Sequence, residues 1–332
     1  RLCPQAIWTH GHFDRYHEVS AQVMAILADE TPRVERVSID EAFIDITPGR
    51  FAPEDPLLVA RRISDRVAAL GVTCSIGVGC NKTVAKIASE RDKPFGLTIV
   101  RPGTEQRFLA ALPVSAMSGI GRSAEERLRR MRIYTLGELS RAPESTLASI
   151  FGVNGEHMRQ RALGLEISEV TSLDEEREVK SVSNERTFAK DLTERGDIEA
   201  AIALLGESVG RRLRRQGLTG ATVTLKLKYS YGSGRTAQRR LPHPTDDENI
   251  FVAVALELLD NIWQEGMHVR LAGIGMSDFD HQGGIQTDLF CEIDDRGAQS
   301  SDRRDLSVAI DAVRDKFGDT PLSFGRQSRF NN

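Results

Sequence analysis

Two adjacent carboxylates, Asp40 and Glu41, interrupt an otherwise apolar run from Val37 to Ile46, and no other segment constrains the chain more. Val37, Ile39, Phe43, Ile44 and Ile46 read as a buried strand or hairpin, where an unpaired charge costs roughly several kcal/mol. Neighbouring anions also repel, so one is driven towards protonation unless a cation stands between them. A divalent metal removes both difficulties, and carboxylate oxygens suit Mg²⁺. Successive strand residues point to opposite faces, so both carboxylates reach one ion only at a turn or bulge. Taken as a bare dipeptide, Asp-Glu is more simply a solvated turn at a strand end.

A length of 332 residues suggests two or three domains, and 40% hydrophobic with 28% charged residues describes an ordinary globular protein. No apolar stretch reaches membrane-spanning length and no signal peptide opens the chain, so no membrane partner is expected. Cys3, Cys74, Cys80 and Cys291 lack C-x-x-C pairing and read as reduced thiols, which points to the cytoplasm. The net charge of −4 hides a segregation: between Ala200 and Thr245 nine bases face the single acid Glu207. Arg211, Arg212, Arg214, Arg215, Lys226, Lys228, Arg235, Arg239 and Arg240 make either a phosphate-binding face or a solvated helix and hairpin.

Helical spacing recurs in Tyr16, Val19, Val23 and Ile26 and in Val59, Ile63, Val67 and Leu70, with strand-like runs at 34–46, 72–78 and 97–100. From 102 to 172 short helices broken by Gly and Pro dominate. An acidic stretch without periodicity at 173–179 reads as a linker. A β-α-β-β-α-β pattern follows, with strands at 180–188, 222–231, 236–241 and 270–279 and helices at 198–216 and 247–264. From His281 the composition predicts a flexible tail with one helix around 306–317. The fold class is therefore α+β and multidomain.

Several motifs carry chemistry. In Ser118-Gly119-Ile120-Gly121 the glycines permit close approach of a phosphate to the backbone, and the following helix would aim free N–H groups at it, as in a helix-hairpin-helix. Gly152-Val153-Asn154-Gly155 reads as a less regular turn of the same kind. Lys180, Ser181, Ser183, Arg186 and Thr187 read as phosphate contacts along a strand. His10, His12 and His17 have no matching partners.

The octapeptide Ser38-Ile-Asp-Glu-Ala-Phe-Ile-Asp45 resembles the palm motif of Y-family translesion DNA polymerases. Val72–Gly79, Asn81-Lys82, Ala85–Ser89, Lys93-Pro94-Phe95-Gly96, Ser118–Gly121 and Lys180–Phe188 follow in that family's order, and within it the bacterial DNA polymerase IV branch is most similar. The resemblance implies a partial palm at 1–101, a thumb with helix-hairpin-helix at 102–172, a little-finger domain at 180–280 and a tail at 281–332. It implies that Asp40 bridges two Mg²⁺ ions and that Glu41 binds the one nearer the primer 3′ hydroxyl. Lys93, with Lys86 as a second candidate, would contact the triphosphate of a dNTP, while Gly119, Gly121, the Lys180–Thr187 strand, Arg239 and Arg240 would hold primer-template DNA. Gln286, Leu289 and Phe290 resemble the Gln-x-x-Leu-Phe peptide that docks on the bacterial sliding clamp. Asp45 is expected to be structural.

The family's first metal-binding Asp, in an Asp-x-Asp-aromatic-aromatic context, has no counterpart here, and the chain opens at Arg1 with a segment like the middle of the palm. The expectation is an amino-truncated, monomeric, Mg²⁺-dependent polymerase that extends primers poorly by itself. The rival reading is a non-catalytic module that binds damaged DNA and the clamp.

Overall fold

The computed structural model describes residues 3–50, 54–172, 175, 178–279 and 296–318. The chain divides into two units, Arg1–Glu176 and Arg177–Asn332.

The first unit begins with helix α1 (Phe13–Ala28) and a hairpin of β1 (Val34–Arg36) and β2 (Ala42–Ile44), in which Val34 pairs with Ile44 and Arg36 with Ala42. Of the two readings of this run, a strand or a hairpin, the structure takes the hairpin, and its turn holds Asp40 and Glu41. Helix α2 (Pro56–Ala69) opens with Asp55 accepting from Leu57 N at 2.8 Å and proline at its first position, where no N–H is needed. Its Val59, Ile63 and Val67 bury against Ile26. Strand β3 (Ile76–Val78), helix α3 (Lys82–Arg91) and strand β4 (Leu97–Ile99) form a parallel crossover. Here Gly77 is obligatory: a Cβ would lie 2.0 Å from Ala85 O and 2.3 Å from Ser89 N, so α3 rests directly on strand backbone.

Helices α4 (Glu105–Ala110), α5 (Arg122–Arg130), α6 (Leu136–Arg141), α7 (Glu144–Phe151) and α8 (Gly155–Leu163) follow, with 3-10 turns at Val114–Ala116 and Gly152–Asn154. Their apolar core, including Leu109, Leu128, Leu136, Leu139 and Leu147, continues into Val84, Ile87 and Ala88 of α3 and Val100. One core therefore spans residue 101.

In the second unit β5 (Ser181–Leu192), α9 (Arg195–Gln216), β6 (Gly220–Tyr229), β7 (Gly234–Thr245), α10 (Glu248–Ile262) and β8 (Val269–Phe279) reproduce the β-α-β-β-α-β order. The sheet order is β5-β8-β6-β7, with every pair antiparallel. Val223, Leu225 and Leu227 alternate with Thr222, Thr224 and Lys226, so one face packs on α9 and α10 through Ile202, Leu213 and Phe251.

Helix α11 (Arg296–Phe317) corrects two expectations. It starts earlier than the composition suggests, and it is docked. Asp311 lies 2.7 Å from Arg214, which also pairs with Glu248. Asp315 pairs with Arg211 at 2.7 Å and with Arg215, and Arg314 pairs with Glu207. Asp311 and Asp315 stand one helical turn apart, on the same stripe of α11. Three of the nine bases read as a phosphate-binding face are thus engaged by carboxylates of this helix. Among the described residues no helix is long and apolar enough to cross a membrane.

Candidate active site and nucleic-acid interface

The turn between β1 and β2 closes on Glu41, whose carbonyl accepts from Val37 N at 2.9 Å and Ser38 N at 3.1 Å. This supplies the departure from strand geometry that two adjacent carboxylates need if they are to serve one ion. Asp40 is exposed within the turn. The Ser38 hydroxyl donates to its Oδ1 and, with smaller help from Lys86 and Lys93, holds its carboxyl below the usual aspartate range. Asp40 is therefore a committed anion at neutral pH.

Helix α3 brings the cations. Lys86 Nζ lies 3.0 Å from Glu41 Oε2 and 3.2 Å from Glu90 Oε1, and Lys93 Nζ lies 2.7 Å from the same Glu90 oxygen. Partial burial works against the Lys86 ammonium, but Glu41 and Glu90 outweigh it and raise its pKa. The result is an alternating row, Glu41, Lys86, Glu90, Lys93. Glu90 was not singled out from sequence, although its spacing, four after Lys86 and three before Lys93, is the helical ion-pair signal. Asp45 is tied locally: its Oδ1 accepts from Thr47 N at 2.9 Å and Thr47 Oγ1 at 2.5 Å.

As a donor set, Asp40 and Glu41 supply hard oxygens from adjacent positions of the turn between β1 and β2, and the Lys86 ammonium already sits against Glu41. These residues fit a divalent ion as two of its ligands. Among the described residues no group of three or more His, Cys, Asp or Glu side chains converges on a metal position.

In the hairpin at 118–121, Gly119 adopts φ +94°, a conformation that side-chain-bearing residues rarely hold, and Gly121 leads into α5 as its N-cap. The element before it is a single 3-10 turn rather than a full helix.

Register decides which candidates of the second unit share a surface. Ser181 pairs with Ser277, Ser277 with Thr222 and Thr222 with Arg240, all on the face not covered by helices. Ser183, Thr224 and Gln238 form the next row across Gly275, followed by Glu185, Lys226 and Thr236 across Gly273. This open face is therefore rich in hydroxyls, with Thr187 and Lys228 continuing it. Lys226 is tied to Glu185 at 2.7 Å. Arg186 and Arg239 have the opposite parity. Arg186 lies 5.9 Å from the Phe188 ring, and Arg239 pairs with Glu257 of α10. The five candidates at 180–187 thus divide between two faces: Ser181, Ser183 and Thr187 share the open one with Arg240. Lys180 is exposed just ahead of β5. Gln286, Leu289 and Phe290 lie outside the described residues.

Comparison with known proteins places the chain in a family. The impB/mucB/samB family model matches residues 1–90, and the model of that family's C-terminal domain matches residues 179–289. DNA polymerase IV of Lactococcus lactis subsp. cremoris (strain MG1363) is 36% identical over 280 residues, covering 84% of this chain and 76% of the relative. DNA polymerase IV of Dehalococcoides mccartyi (strain CBDB1) is 34% identical over 330 residues, covering 99% and 82%. Among solved structures, the Y-family DNA polymerase chimera Dbh-Dpo4(243-245)-Dbh shares the fold, with a TM-score of 0.70 at 23% identity over 83% of this chain and 80% of that one. The chain belongs to the impB/mucB/samB family, the Y-family DNA polymerases, and is similar over most of its length to DNA polymerase IV.

Proposed function

We propose that this chain acts in template-directed DNA synthesis of the translesion type. The observation that carries the reading is the meeting of Asp40 and Glu41, on a turn, with Lys86 and Lys93 from the following helix. A module that merely binds DNA has no use for paired carboxylates held beside two cations, so the catalytic reading is preferred to a non-catalytic DNA- and clamp-binding one.

In this reading Asp40 and Glu41 would both serve as Mg²⁺ ligands. Bound there, Mg²⁺ would supply Lewis-acid chemistry, lowering the pKa of the primer 3′ hydroxyl and neutralising the departing pyrophosphate. Ser38 keeps Asp40 ionised and oriented. Lys93, and Lys86 once it leaves Glu41, face the triphosphate of the incoming dNTP, where charge accumulates on the leaving group. The Gly119–Gly121 hairpin, as half of a helix-hairpin-helix, offers backbone N–H groups to the DNA backbone. Lys180, Ser181, Ser183, Thr187 and Arg240 contact primer-template phosphates on the open sheet face of a little-finger domain, which confers grip without sequence readout. Arg186 and Arg239, on the helix side of the edge strands, would meet phosphate only if DNA approached from that side. Residues 1–101 correspond to palm, 102–172 to thumb and 173–179 to linker. Gln286, Leu289 and Phe290 dock on a bacterial sliding clamp, and the protein works as a cytoplasmic monomer.

The test uses Asp40→Ala. Mn²⁺ titration followed by electron paramagnetic resonance should show a bound ion lost from the variant, and Mg²⁺-dependent primer extension should fall to background. Primer-template affinity should stay unchanged. Undiminished Mn²⁺ binding by the variant would remove Asp40 from the metal site.

A further inference from the structure

The Arg161 side chain of α8 is largely buried, 15% exposed, and lies where three segments of the first unit meet. Its Nε donates to Thr83 Oγ1 in the first turn of α3 at 2.8 Å, and its Nη1 donates to the Ser118 carbonyl at 2.8 Å. Glu166, 10% exposed, stands 3.7 Å from the guanidinium and accepts from Thr83 N at 3.1 Å. Asn81 Nδ2, at the N-cap of α3, donates to Gly164 O at 2.8 Å. The start of the helix that carries Lys86 and the end of α8 are thus joined by a partly buried, charge-assisted network, and the same guanidinium holds the hairpin carbonyl before Gly119.

We infer that Arg161 is a positioning residue that aims the Gly119–Gly121 hairpin at a DNA phosphate and ties it to the helix bearing Lys86. The inference rests on the reading of that hairpin as a DNA contact. The peptide joining Ser118 to Gly119 is trans, so its N–H points opposite to its C=O. Fixing the carbonyl on Arg161 therefore turns the Gly119 N–H away from α8. With φ +94° at Gly119, the peptide has alternatives open to it, and a fork-shaped donor anchored at its other nitrogen by Thr83 selects one. Lysine cannot do the same, because a point charge reaches one acceptor at a time with no planar constraint. Thr83 stands one turn before Lys86, so movement of the hairpin on binding DNA would pass to the helix facing Glu41.

A double-mutant cycle on the full chain tests this, reading primer-template affinity against salt. Gly121→Ala is the partner because its φ is −80° and an added Cβ meets nothing within 4 Å, so it obstructs only what approaches from outside. Gly121→Ala and Arg161→Gln should each weaken binding about fivefold to tenfold and lower the log-log salt slope by about 0.9, the share of a single phosphate. In the Gly121→Ala background, Arg161→Gln should add less than about twofold. Equal losses in both backgrounds, or a lower Tm with an unchanged slope, would overturn the positioning role while leaving the hairpin reading intact. If Gly121→Ala alone leaves affinity and slope unchanged, the hairpin reading fails and this inference falls with it. Should the glutamine variant not fold, Arg161→Lys is read in the same way: loss of slope at unchanged Tm supports the role, and a wild-type slope overturns it.

Discussion

The Lys86 ammonium lies 3.0 Å from the Glu41 carboxylate, so the residue expected to meet phosphate is instead the counter-ion of a candidate metal ligand. The two roles are compatible if the ammonium leaves when a divalent ion arrives. Lys86 then competes with metal before binding and faces the triphosphate afterwards. Lys86→Met is expected to tighten Mn²⁺ binding about fivefold, the equivalent of about 1 kcal/mol for a partly exposed pair, while weakening nucleotide binding. Weaker Mn²⁺ binding in the same titration would show that Lys86 supports the metal instead.

Arg239 and Arg240 are neighbours in sequence and face opposite ways. Arg240→Ala should flatten the salt dependence of DNA affinity by up to about 0.9 in log-log slope. Arg239→Ala should leave the slope unchanged and cost less than about 1 kcal/mol of stability through the exposed pair with Glu257. The reverse pattern would mean that DNA approaches from the helix side of the sheet edge.

Glu30 supplies a pH dependence in the first unit. Its carboxylate is nearly covered and takes Arg62 Nη2 at 2.6 Å and Arg66 Nη1 at 3.4 Å. The Arg62 hydrogen bonds hold its pKa below the ordinary glutamate range. A carboxyl depressed in the folded state binds protons more weakly there than in the unfolded chain. Its stabilisation is therefore present above the unfolded value, about 4.3, and is lost as pH falls through the folded one. Urea denaturation from about pH 7 down to about pH 3 should show this decline, and Arg62→Leu should lower neutral stability and flatten it. An unchanged acid limb in the variant would shift the origin to another carboxylate.

The segment proposed to dock on a clamp, Gln286–Phe290, falls in the sequence between Phe279, the end of β8, and Arg296, the start of α11. A peptide of residues 283–292 should bind a bacterial sliding clamp at about micromolar Kd, since it buries few side chains and must be ordered on binding. Leu289→Ala with Phe290→Ala should abolish that binding in the whole chain without changing Tm or DNA affinity. A marked fall in Tm would place these side chains against the protein itself.

Much of this architecture was legible in the residues. Alternation at Val223, Leu225 and Leu227 exposed the half-buried strand, helical spacing marked α1 and α2, and the β-α-β-β-α-β order matched within a few residues at most boundaries. The β1–β2 turn was anticipated only as a requirement of two carboxylates sharing an ion. Its location inside a run of Val, Ile and Phe left only a weak propensity signal, because Ser38 and Asp40 favour turns while Val37 and Ile39 beside them favour strand.

What the sequence determined by itself is what short-range periodicity and motif order can encode: the elements, their succession, the family and the paired acids. Tertiary structure decided which charges meet across elements. Lys86 finds Glu41 because Gly77 lets α3 rest on β3 backbone. Arg211, Arg214 and Arg215 look like a free basic face until Asp311 and Asp315, about a hundred residues later, arrive on one stripe of α11. Arg239 and Arg240 part because an edge strand that is polar on both faces gives no alternation to read, and only hydrogen-bond register assigns its sides. Charge pairing acts over a few ångströms of space and is indifferent to distance along the chain, so composition along a segment reports how much charge is present but not what neutralises it.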